Sequence, residues 1–305
     1  MGAPPGKGLF FACLAFFLWG MFPLYWRLLA AVHPLHVLAL RILLSLALVG
    51  ALLLARKNVA WLAAFRDPKK ACVLAAAGLL LCLNWGLYIW AVNQGRTLEA
   101  SLGYYINPLI SVLLGLVFFR ERLRPLQWAA VAVAVSGVLL LTALSGVLPW
   151  VSLVLAMTFG FYGLLKKKLA LSALESLGAE TLASAPVGLL LLFAGAGGGA
   201  GGGPLFAGLG GLAYVARLPA HTLALLAMCG AVTALPLYLF ARGAKLLPLS
   251  TIGFTQFIGP TLQFLIGLFV FGEAFPPYYF AAFALIWAAV VLYVASLRAA
   301  RPAAP

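Results

Sequence analysis

Residues 106–125 read INPLISVLLGLVFFRERLRP, and residues 258–277 read IGPTLQFLIGLFVFGEAFPP. A shift of 152 positions lays one on the other, with Ile106 on Ile258, Pro108 on Pro260, Leu113 on Leu265, Gly115 on Gly267, Glu121 on Glu273 and Pro125 on Pro277. Each stretch is a continuous apolar run that leads into a glutamate. Continuous runs suit membrane helices, whereas the strands of a membrane barrel alternate apolar and polar residues. The same order of Pro, Gly, Glu and Pro, found twice, points to a duplicated helix and its exit.

The duplication extends outward. A shift of 150 sets Leu87, Tyr88 and Ala91 on Leu237, Tyr238 and Ala241, and a shift of 140 sets Gly20 and Leu24 on Gly160 and Leu164. Apolar windows bounded by charges, Pro or Gly give ten expected helices, near 8–26, 35–55, 71–93, 98–119, 125–144, 147–165, 176–195, 219–241, 248–271 and 276–297. About 20 helical residues cross a bilayer core, so each window is long enough to span. The windows fall into two five-helix repeats, 1–145 and 146–305. Five is odd, so the second repeat enters the membrane from the opposite side. The expected fold is an all-α integral membrane protein of ten transmembrane helices in two inverted repeats. Two near-equivalent packings, one open to each side, let a cavity between repeats alternate in access.

Composition agrees. Of 305 residues, 65% are hydrophobic and 9% charged, too few charges to cover a water-facing surface. The formal charge of +14 sits in short loops beside helix ends, which argues against a nucleic-acid face. With a cytoplasmic amino terminus, the inner side holds Lys7, Arg56, Lys57, Arg66, Lys69, Lys70, Arg120, Arg122, Arg124, Lys166, Lys167, Lys168, Arg242, Lys245, Arg298 and Arg301. Only Arg27, Arg96 and Arg217 fall outside, so the positive-inside rule places both termini in the cytoplasm. Residues 8–26 are expected to stay attached as the first span, lacking a cleavage signal. The run GAGGGAGGGP within 194–213 reads as an extracytoplasmic linker and not as a phosphate loop. Cys13, Cys72, Cys82 and Cys229 show no paired spacing and read as small buried apolar residues, while His33 and His36 flank a helix start. No metal or cofactor is expected.

Ionisable side chains inside membrane helices are functional candidates by default. Arg41 leads: it faces a cavity and binds an anionic or carbonyl group of the substrate, held between turnovers by Glu99, or else it anchors at the interface. Glu180 and Glu99 are the candidates for loading and releasing a proton. Asn84, Trp85, Tyr88, Tyr104, Asn107, Thr255, Gln256 and Gln263 either line the substrate cavity or bond helices together. Asn107 beside Pro108, and Gly259 beside Pro260, are expected to interrupt the backbone ladder near the midplane. Pro108, Gly115, Glu121, Pro260, Gly267 and Glu273 read as the structural repeat motif, the two glutamates as mainly structural.

The segments FLWGMFPLYW (17–26), NWGLYIWAVN (84–93), LEASLGYYINPLIS (98–111) and LPLSTIGFTQFIGPTLQFLIG (247–267), followed by FGE (271–273), resemble the RarD group of the EamA transporters in the drug/metabolite transporter superfamily. The resemblance implies a ten-helix carrier of the bacterial cytoplasmic membrane with a central cavity, of a kind often labelled chloramphenicol-sensitive permeases. Where similar members place a His before the helix-two arginine and a Trp three positions after it, this chain has Leu40 and Leu44, which removes that His from any proton coupling. The leading expectation is a secondary carrier exporting small organic molecules, with substrate, lipids and protons as partners and a monomer or homodimer as its form. A lipid-linked amphiphile flippase is the alternative within transport. A membrane enzyme is the alternative outside it, although the chain has no HExxH, GxSxG or His/Asp cluster.

Overall fold

The structure is a computed structural model that describes residues 5–119, 123–166, 169, 171–193, 211–244, 246–247 and 255–298. The elements among them are α1 (Pro5–Gly20), α2 (Phe22–Leu28), α3 (Pro34–Ala55), a 3-10 turn (Ala60–Arg66), α4 (Pro68–Asn93), α5 (Thr97–Phe119), α6 (Pro125–Ser145) and α7 (Trp150–Lys166). They continue with α8 (Ala173–Phe193), α9 (Gly211–Ala216), α10 (Ala220–Ala244), α11 (Ile258–Leu265), which runs on as a π turn (Ile266–Val270), and α12 (Pro277–Arg298). No strand occurs among the described residues.

Among the described residues, eight helices are long and apolar enough to cross a membrane, counting Gly6–Leu28 as one. Two shorter apolar helices, Trp150–Lys166 and Ile258–Val270, fall in the sixth and ninth expected windows. Two expectations need correcting. The first window is not one unbroken helix, because the chain turns at Met21 and restarts as α2 with Pro23 in its first turn. Proline lacks the N–H that would continue the ladder, and at a helix start none is needed. In the ninth window, α11 begins only at Ile258, which puts Pro260 in its first turn, where it costs no hydrogen bond; residues 248–254 lie outside the described part. Most of the Gly-rich linker, 194–210, and Glu121 also lie outside it.

Local chemistry sets the other boundaries. Pro34, Pro68 and Pro125 open α3, α4 and α6, the helix position that tolerates proline best. The Asp67 carboxylate caps α4 by accepting from the Lys69 N–H at 2.9 Å, and the His33 ring caps α3 by accepting from Leu35 at 3.3 Å. Ser172 and Glu175 form a reciprocal box at the start of α8. Gly146, at φ +70°, ends α6 in the left-handed region.

Neighbour relations place the bundle around a hollow. Helix α1 packs on α10 and α11, α3 on α8 and α10, α4 on α7 and α8, α5 on α7 and α11, and α6 on α12. Apolar side chains also point outward: Phe269 is 74% exposed, Val117 68% and Leu190 67%. Lipid chains are the medium that accepts such a surface. Close helix contacts depend on glycine. A Cβ on Gly230 of α10 would stand 2.5 Å from the Leu44 carbonyl oxygen of α3, and one on Gly103 of α5 would stand 2.7 Å from the Ser152 carbonyl oxygen of α7.

Gly230→Ala is therefore expected to destabilise the detergent-solubilised protein by about 1–3 kcal/mol, the usual cost of overpacking. Gly50→Ala, where a Cβ meets nothing within 4 Å, should hold or raise the melting temperature. Thermal melts of the two variants check the contrast.

Candidate functional site

Between the helices lies a cavity of about 400 Å³. Its wall is mostly aromatic, with Phe16, Trp19 and Phe22 from the first span, Trp85 and Tyr88 from α4 and Tyr104 from α5. Phe159 and Tyr162 of α7 and Phe240 of α10 complete it.

Arg41 enters from α3 and is only 3% exposed. Its Nε donates to the Thr233 Oγ1 of α10 at 3.1 Å. The Thr233 hydroxyl in turn donates to the Cys229 carbonyl at 2.9 Å, which leaves an oxygen lone pair facing the guanidinium. The guanidinium carbon lies 3.9 Å from the Trp85 ring centre, 4.8 Å from that of Trp26 and 5.7 Å from that of Phe22. An arginine at the centre of a membrane helix costs about 2.5–3.5 kcal/mol on the insertion scale. Desolvated contact with aromatic faces returns about 2 kcal/mol. The Nη1 of Arg41 has no hydrogen-bond partner, and no carboxylate pairs with Arg41 among the described residues. With Nε held by Thr233, the Nη1 donor is oriented and left unused, the arrangement that an anionic or carbonyl-bearing ligand satisfies.

Further polar groups share the wall. Asn84 donates through Nδ2 to the Leu155 carbonyl at 3.1 Å and to Thr158 at 2.9 Å, and accepts from the Tyr104 hydroxyl at 3.3 Å. It therefore ties α4, α5 and α7 together while bordering the cavity. Gln263 donates to the Trp19 carbonyl at 3.2 Å. The Oε1 of Gln263, the Oδ1 of Asn107 and the Tyr88 hydroxyl are buried without partners. At one end, fully buried Glu180 accepts from Tyr162 at 2.8 Å and from Ser176 at 2.5 Å, and lies 3.5 Å from the Lys166 ammonium. Lys166 also donates to the Tyr162 hydroxyl at 2.6 Å.

Of the residues singled out from sequence, the fold brings Arg41, Asn84, Trp85, Tyr88, Tyr104, Asn107, Gln256, Gln263 and Glu180 onto one cavity wall. Thr255 is buried next to Gln256 but does not line the cavity. Glu99 is elsewhere. It pairs with Arg96 at 2.6 Å and accepts from the Val151 N–H at 3.1 Å, so the expected Arg41–Glu99 pair is not formed. The physical reason is proximity: Arg96 sits three positions away at the same helix start, whereas Arg41 is drawn into an aromatic cage. The interface-anchor reading of Arg41 is likewise corrected by its burial. Glu273 has a structural role, accepting from the Thr97 and Leu98 N–H groups at 2.7 and 2.8 Å and so capping α5. Gly267 packs on Leu98 beside it. The four cysteines are free, with Cys72 exposed and not buried as expected.

Sequence reading missed Thr233, Tyr162 and Lys166. Thr233 is a single hydroxyl in an apolar helix, with no local signal. Tyr162 was within reach, since the shift of 140 that pairs Gly20 with Gly160 also pairs Trp19 with Phe159 and Phe22 with Tyr162, and all four line the cavity.

The model of the EamA-like transporter family matches residues 6–143. The RarD protein of Streptomyces exfoliatus is 44% identical over 298 residues, which cover 96% of this chain and 90% of that protein. The chloramphenicol-sensitive RarD protein of Pseudomonas aeruginosa is 34% identical, with 94% of this chain and 93% of that one covered. A crystal structure of another protein, 22% identical, covers 98% of this chain and all of its own with a TM-score of 0.58, a likeness of fold alone.

Thr233→Val leaves a buried charged donor without an acceptor and should destabilise the purified protein by about 1–3 kcal/mol, with Thr233→Ser restoring most of it. Melting curves of the two variants check this.

Proposed function

Because this chain belongs to the RarD group of the EamA-like membrane transporters, we propose that it is a secondary carrier. Its cargo is a small aromatic organic anion, taken up in the Arg41 cavity by alternating access and exported across the cytoplasmic membrane. The observation that carries the reading is the unpaired, oriented guanidinium inside an aromatic box. A volume of about 400 Å³ suits a molecule of one ring and a short polar chain. Asn107 and Gln263, each with a free carbonyl oxygen on the wall, are the acceptors for N–H or O–H groups of the same molecule.

Two inverted repeats, 1–145 and 146–305, supply the mechanism, with ten spans and both termini in the cytoplasm. Support comes from the neighbour pairs, which survive exchanging each span with the one five places on. The first span on α10 mirrors the sixth, α7, on α4, while α3 on α8 and α6 on α12 map onto themselves. Equivalent positions also meet at the cavity: Trp19 with Phe159, Phe22 with Tyr162, Tyr104 with Gln256, and Asn107 with Gly259. A cavity on the pseudo-twofold axis is what alternating access requires.

A second reading, an amphiphile flippase, is favoured by one feature. A groove of about 630 Å³ opens between α5, α11 and α12, lined by Tyr105, Phe257, Thr261 and Trp287. The short α11 stands between it and the cavity, since Gln263 of that helix faces inward and Thr261 faces the groove.

Equilibrium binding of radiolabelled hippurate, phenylacetate, phenylalanine, benzylamine and chloramphenicol to the purified protein tests the substrate class. The carboxylates should bind ahead of benzylamine, and Arg41→Lys should weaken them by about tenfold or more, since a point charge replaces a stacked fork. Preference for benzylamine would end the anion reading. In a cysteine-free background, Gln94→Cys should label from outside intact cells with an impermeant maleimide and Lys57→Cys only after lysis; the reverse pattern would invert the topology.

A further inference from the structure

Among the described residues, three charged side chains line the cavity: Arg41, Lys166 and Glu180. Lys166 and Glu180 offset each other, so two cations less one anion leave a single positive charge, and it resides on Arg41. The remaining described carboxylates are engaged elsewhere: Asp67 at the start of α4, Glu99 on Arg96, Glu175 on Asn58 and Ser172, and Glu273 on α5. Aromatic rings and the Thr233 oxygen stabilise the guanidinium without cancelling its charge.

Alternating access shuts the cavity from both sides midway. In the empty protein that step carries a bare guanidinium through a water-poor enclosure, where a charge is poorly screened. With an organic carboxylate bound, the same step carries a neutral pair. The two transits therefore differ in barrier, and only the empty one moves charge. From this we infer that the protein exchanges organic anions rapidly and without net charge movement. Net export is slower and electrogenic, drawn by the inside-negative membrane potential as Arg41 returns empty. This rests on the organic-anion reading of the same cavity.

The charges balance. The loaded step moves the anion with Arg41, a sum of zero, and the empty return moves one positive charge inward. Each net cycle exports one negative charge.

The test uses proteoliposomes of the full chain loaded with radiolabelled hippurate at pH 8, with an internal pH dye and the potential set by potassium and valinomycin. At zero potential, efflux into hippurate-containing buffer should exceed efflux into hippurate-free buffer by about tenfold or more, the rate ratio of a modest barrier difference. An inside-negative potential of about 100 mV should speed net efflux several-fold while leaving exchange unchanged and the dye silent. Equal rates in the two buffers, exchange that responds to potential, or proton movement during exchange would each overturn the inference while the anion site stands. Hippurate that moves in neither mode, with chloramphenicol moving in both, would overturn the anion site and the exchange inference with it.

Discussion

A guanidinium in hydrocarbon must find a counter-charge or an electron-rich surface, and in this protein it finds the second. Trp85 comes from α4, Trp26 and Phe22 come from α2 just after the break in the first span, and Thr233 comes from α10. Three segments that are distant in sequence converge on one side chain of α3. Their positions are hard to vary independently, because moving any of them exposes a charge to an apolar medium. The glycine contact between Gly230 and Leu44 lies on the same α3–α10 seam and lets the two backbones approach closely enough for Thr233 to reach Arg41.

The two ends of the cavity are built differently. On the side holding Arg96, carboxylates clamp helix starts: Glu99 joins α5 to the start of α7, and Glu273, from the turn after α11, caps α5. These bonds tie the second half of the chain to the first through backbone N–H groups. On the side holding Lys166, the polar contacts are between side chains, Lys166, Tyr162, Glu180 and Ser176, and Lys166 is 30% exposed. Side-chain contacts at a partly wet rim can exchange partners without unwinding a helix, whereas capped helix starts resist separation.

Much of this was legible in sequence because membranes impose simple rules. Charges mark helix ends, apolar runs mark spans, and a polar side chain within a span needs a reason. Arg41, Asn84, Asn107, Gln256 and Gln263 stood out by that rule and share one wall. Glu99 obeyed the same rule and does not, since a carboxylate near a helix start has a local cation and local amides available. Thr233 escaped notice because a threonine hydroxyl can satisfy itself on its own helix, as Thr181 does on Leu177.

The sequence by itself determined the class of solvent and the rough limits of most of the apolar helices, because hydropathy is a local property that lipid reads directly. The tertiary structure alone decided that Arg41 stands unpaired among aromatic rings, that Glu99 belongs to Arg96, and that Glu180 is offset by Lys166. Pairing depends on distances in space between helices. No spacing along the chain encodes these, because the helices meet by packing at glycines and at the break near Met21, and a shift of one helical turn there would change every partner.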